Sequence, residues 1–67
     1  MDRFIINSEA QANGAYEIHN MSKGCEHLPM AQNQNQLGFF ATWDLALKRA
    51  RTNWPREKIS LCQICCK

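Results

Sequence analysis

Three of the four cysteines in this 67-residue chain fall in its last six residues, as Cys62-Gln63-Ile64-Cys65-Cys66 ahead of Lys67. The fourth, Cys25, lies far upstream between His19 and His27. A chain of this length buries only about 60% of its unfolded surface, so a cross-link between distant segments dominates what it can become. A Cys-x-x-Cys turn sets two thiolates on one side of a tight loop, which is half of a tetrahedral zinc site. The other half must come from elsewhere, and the tail must fold back to reach it.

The compartment decides how such thiols are read. No apolar run approaches the ~20 residues of a membrane span. Residues Met1 to Asn7 lack the charged region and long apolar stretch of a secretory signal. The expectation is a cytoplasmic, monomeric protein with no membrane role. There thiols stay reduced, and clustered cysteines read first as metal ligands. Three other readings stand beside that one. Export would make them disulfides. A redox pair normally opens a helix after a strand, which this pair does not. Thiols can also serve simply as small buried hydrophobes.

Periodicity supplies the frame. Phe4-Ile5-Ile6 is β-branched and aromatic, Tyr16-Glu17-Ile18-His19 alternates, and Asn13-Gly14 between them suits a turn, so a hairpin is expected. Tyr16 and Ile18 then face the core, with Glu17 and His19 on the opposite face or His19 at the strand end. The tract Gln32 to Gln36 reads as an exposed loop. Leu37 to Ala41 reads as a third strand, with Gly38 marking a bulge or close approach. Thr42 suits a helix N-cap, and Asp44 suits the first turn. Trp43, Leu47, Ala50 and Trp54 form a helical stripe ended by Pro55. Ile59 and Leu61 form a return segment that delivers the cysteine turn. The expected fold is one α+β domain spanning residues 1–67: a small three-stranded antiparallel sheet, the N-terminal hairpin plus one strand, packed by one helix and closed by the Cys-x-x-Cys turn.

Cys62 and Cys65 have half-site spacing, and Cys25 is the natural third ligand. The fourth is His19, His27 or Cys66. Cys66 is least suited, because neighbouring side chains point apart. The order Asn13-Gly14, Glu17-Ile18-His19, Cys25, Leu28-Pro29, Leu37-Gly38, Phe40, Ala46, Ala50 and Cys62-x-x-Cys65 resembles a family of short bacterial proteins of unassigned function. The histidine, lone cysteine, amphipathic helix and terminal Cys-x-x-Cys are also distantly similar to the zinc-binding module of the Ada DNA-repair protein. The resemblance implies one zinc held by His19, Cys25, Cys62 and Cys65, with His27 and Cys66 as reserve ligands. The six-position step from His19 to Cys25 is longer than the four of the pattern.

Charge is unevenly spread. Residues 48–58 hold Lys48, Arg49, Arg51, Arg56 and Lys58 against Glu57 alone, a local net of +4 within a chain of net +2. Such a segment suits nucleic acid or an acidic protein, and also the plain solvated face of a helix. No triad, paired carboxylates or phosphate-cradling loop points to an enzyme. The expected function is a small non-enzymatic zinc module for nucleic-acid or protein interaction. The alternatives are a metal-free protein adaptor or inhibitor, and a thiol-based redox or alkyl-acceptor protein.

Overall fold

A computed structural model describes residues 1–66. Four strands, β1 (Asp2–Asn7), β2 (Tyr16–Asn20), β3 (Gln34–Phe40) and β4 (Ile59–Leu61), form one sheet in the order β3-β1-β2-β4. One helix, α1 (Trp43–Asn53), lies over a single face. The hairpin is as the alternation requires: β1 and β2 pair antiparallel with Ile5 opposite His19 and Ile6 opposite Ile18. Its loop closes through Gly14, at φ +85°, a left-handed position that costs glycine little. The Asn13 side chain accepts the Ala15 N–H at 2.9 Å and holds the turn.

The sheet corrects the expectation in two places. There are four strands, not three, and β4 pairs parallel to β2. The link from β3 through α1 crosses the sheet from one edge to the other, so β4 arrives running with β2 instead of against it. The second correction concerns the polar tract. Gln34, Asn35 and Gln36 belong to β3, because an edge strand needs backbone partners on one side and tolerates polar side chains on its exposed positions. Only Ala31–Asn33 forms a short helical turn ahead of it. Gly38 marks a bulge, as read: opposite β1 the register jumps from Gly38 to Gln36, and the extra Leu37 is buried. Its φ of +121° suits glycine alone.

The helix packs by its smallest side chains. Ala46 and Ala50 are fully buried against Phe4, Ile6, Ile18 and Leu37, while Leu47 and Trp54 lie half-buried at the margin. Phe40 joins them, its ring 6.2 Å from that of Phe4. Trp43 does not belong to the buried stripe, being 39% exposed. With alanine at the contact the helix axis comes close to the sheet, and Trp43, on the same stripe by spacing but at the first residue of the helix, is left at the rim. Cys62, Cys65 and Cys66 complete this core from the side of β4. Among the described residues, no helix is long and apolar enough to cross a membrane.

Candidate metal centre

His19 is the penultimate residue of β2 and 1% exposed. It shares the face of Glu17, two residues away, and not that of Ile18. Asn20, just after it, shapes the path to Cys25. Its side-chain oxygen accepts the N–H groups of Ser22 and Lys23 at 2.9 and 3.2 Å, an Asx turn that bends the chain sharply. Met21 N–H bonds the Arg3 carbonyl, and Arg3 N–H bonds the Ser22 hydroxyl, which anchors the turn to β1. Gly24, at φ +74°, then turns the chain so that Cys25 packs against the core margin. The curl from Asn20 to Gly24 absorbs the long His19-to-Cys25 interval.

The other half arrives through β4. The Cys62 N–H donates to the Ile18 carbonyl at 3.0 Å, which continues the β2–β4 ladder to the first ligand position. The Cys66 N–H donates back to the Cys62 carbonyl at 3.0 Å and closes the cysteine turn. The Asn20 N–H donates to the Cys65 sulfur at 3.3 Å.

These paths bring His19, Cys25, Cys62 and Cys65 together, with one ligand atom of each within 4.8 Å of all the others. Cys25 Sγ lies 3.6 Å from Cys62 Sγ, and Cys65 Sγ lies 3.6 Å from His19 Nδ1. Zinc bonds of about 2.3 Å to sulfur and about 2.0–2.1 Å to nitrogen give tetrahedral edges of about 3.8 Å and about 3.6 Å. The two close pairs therefore match the edges of a zinc tetrahedron. No cysteine is in a disulfide. The donor set, three thiols and an imidazole, is one that zinc takes in closed structural sites.

The reserve ligands lie elsewhere. Cys66 is buried, and its S–H points to the Ile18 carbonyl at 3.3 Å. His27 is exposed and lines a surface hollow together with His19, Glu17 and Cys62, outside the group of four. The feature that sequence reading passed over is Glu17. Its carboxylate sits 3.3 Å from His19 Nε2, and Gln11 donates to the same carboxylate at 2.8 Å. With Nε2–H held by Glu17, the lone pair of Nδ1 faces the three sulfurs. The i, i+2 spacing of Glu17 and His19 on a strand was the available signal.

Electrostatics follow burial. Desolvation lowers the His19 pKa, partly offset by the nearby Glu17 and reinforced by His27, so the ring is held neutral as a ligand must be. Burial pushes the Cys65 and Cys66 thiols up. Burial also pushes Cys62 up, but the backbone N–H groups of Cys65 and Ile64 outweigh it and leave that thiol lowered. Cys62 is thus the readiest thiolate of the turn.

The basic residues lie apart from this centre. Lys48, Arg49, Arg51, Arg56 and Lys58 are all exposed, and none forms an ion pair among the described residues. No family model matches the chain, and neither a curated protein nor a solved structure does.

Proposed function

We propose that the chain is a small non-enzymatic zinc module in which His19, Cys25, Cys62 and Cys65 hold one ion and the basic helix and loop contact nucleic acid. The convergence of the four ligand atoms within 4.8 Å carries the first half. These side chains come from β2, the loop after it and the turn after β4, so one ion fastens the β4 edge of the sheet to its centre. Structural zinc contributes apparent binding energies of about 10–16 kcal/mol in zinc-finger peptides, more than a chain of this length has to spare. Glu17 fixes the His19 tautomer, and the Asn20 N–H stabilises the Cys65 thiolate. A closed four-ligand site leaves no open position for catalysis.

Support for the second half comes from five exposed cations, none in an ion pair among the described residues, along one helix and the loop that follows. The distant likeness to the Ada-type module points the same way. Cobalt(II) substitution tests the metal: a tetrahedral site of three sulfurs and one nitrogen gives intense visible bands and sulfur-to-metal charge transfer, and an octahedral spectrum would refute it. Fluorescence anisotropy with short DNA and RNA strands tests the surface. Lys48 and Arg51 are three apart and share a helix side. Reversing both to Glu should reduce the salt slope by up to about two units for duplex DNA, more than reversing Arg49 alone. Absence of binding at low salt would leave the basic segment a solvated face and favour a protein partner.

A further inference from the structure

A cleft on the helix side of the molecule, away from the four metal ligands, opens where the end of α1 meets the outer ends of β1, β2 and β4. Ile6 and Ile59 contribute its apolar lining, Tyr16 and Trp54 its aromatic lining, and Asn7, Ser8, Asn35 and Glu57 its polar groups. Its volume is about 210 Å³. That is below the about 300–1,000 Å³ of sites that enclose whole small molecules, and suits a single planar ring system.

Of the polar side chains, Asn7 is already engaged, its oxygen accepting the Glu9 N–H at 2.9 Å. Among the described residues, the side chains of Tyr16, Asn35, Trp54 and Glu57 make no hydrogen bond within the chain. Trp54 caps α1 with a backbone bond from its N–H to the Ala50 carbonyl, and its indole packs against the core margin. Pro55 and the Glu57 N–H bond to the Trp54 carbonyl at 3.2 Å form the turn that sets Glu57 in the lining of the same cleft as Trp54. Arg56 and Lys58 flank Glu57 in sequence, both exposed.

This chemistry selects its ligand. The two exposed cations next to Glu57 in sequence oppose a cationic guest and favour one with an anionic backbone. An aromatic face suits a base, since every nucleobase stacks on it. A carboxylate is an acceptor only, with two oxygens side by side. Among the common bases, guanine alone presents two adjacent N–H donors on its Watson–Crick edge, while adenine and cytosine pair one donor with an acceptor. The Asn35 amide supplies a donor for the guanine acceptors.

Resting on the nucleic-acid reading above, we propose that this cleft takes one unpaired guanine of a single strand, stacked on Trp54 and read by Glu57, with the adjoining phosphates on Arg56 and Lys58. Specificity then lies in the cleft and affinity in the cations, a division usual in nucleic-acid recognition.

The test uses the zinc-loaded full chain with Trp43→Phe, which leaves Trp54 as the reporting indole. The probes are short thymine strands with one central guanine, adenine, cytosine or thymine. The guanine strand should quench Trp54 to saturation and bind about tenfold or more tightly than the others. Glu57→Gln should erase that preference and leave the salt slope unchanged. Trp54→Ala, followed by anisotropy of a labelled strand, should weaken binding about 5- to 150-fold. Should Trp54→Ala fail to fold, Glu57→Gln decides, because Glu57 is exposed. Equal, salt-sensitive binding of all four strands with unchanged Trp54 emission would overturn the guanine cleft and leave the basic surface standing. No binding of any strand at low salt would overturn both.

Discussion

Cys65 and Cys66 are neighbours in sequence, yet alanine at each should give opposite results. The Cys65 sulfur lies 3.6 Å from His19 Nδ1 and accepts the Asn20 N–H, inside the group of four. The Cys66 sulfur is outside it and donates to the Ile18 carbonyl. If about 10–16 kcal/mol of zinc binding is shared among four ligands, one thiolate accounts for about 2.5–4 kcal/mol, roughly 10²- to 10³-fold in affinity. Cys65→Ala should lose that much. Cys66→Ala costs something different. The Ile18 carbonyl also accepts the Cys62 N–H at 3.0 Å, so removing the S–H leaves no buried acceptor unpaired. What goes is one weak hydrogen bond and the packing of one buried sulfur, roughly 1–2 kcal/mol together. That corresponds to a fall in Tm of roughly 5–15 °C for a domain of this size. Competition with a chromophoric chelator measures the affinity, and thermal melting in excess zinc measures the stability. Zinc affinity falling equally in both variants would show that the tail is not divided into ligand and core as described.

The other predictions test the surroundings of the site. Glu17→Gln should lower zinc affinity about 10- to 100-fold by loosening the His19 ring, with little change in the fold, as competition titration and circular dichroism would show. Phe4→Ala should destabilise by about 3–5 kcal/mol, since Phe4 is 1% exposed, whereas Trp43→Ala should cost far less, and chemical denaturation separates the two. In chelator, two thiols are raised by burial (Cys65 and Cys66) against one that is lowered (Cys62). The zinc-free fold therefore holds protons more tightly than the unfolded chain. Its stability is greatest between the unfolded imidazole pKa of about 6.5 and the unfolded thiol pKa of about 8.5; it declines as pH rises above that window and, because burial lowers the His19 pKa, also as pH falls below it. Zinc inverts the sign by expelling the protons of the thiols that bind it, Cys25, Cys62 and Cys65, so the loaded chain loses its added stability as pH falls. Denaturant midpoints with and without zinc between about pH 6.5 and about pH 10 should show the two opposite trends, while below about pH 6.5 both forms lose stability.

Local pattern made much of this legible. The alternation of Tyr16 to His19 set the hairpin faces, and Thr42 with Pro55 bounded the helix. The grouping of His19 with the cysteines was suggested by likeness to other zinc modules, while the residues themselves left His27 and Cys66 open. What escaped were features that only the assembled sheet decides. The three residues of β4 carry no mark of parallel pairing, because direction is set by the crossing of α1. Gln34 to Gln36 look like loop because an edge strand asks little of its side chains. Trp43 looks buried until the close approach at Ala46 and Ala50 is known. Glu17 reads as an ordinary surface acid until His19 is seen to need a partner for Nε2.

The central claim is one metal ion fastening four side chains, and a native mass spectrum of protein expressed in the cytosol addresses it most directly. The account predicts a single zinc per chain, lost on acidification together with cooperative unfolding. A metal-free mass that stays metal-free on adding zinc, with a fold that melts at an unchanged temperature, would contradict it.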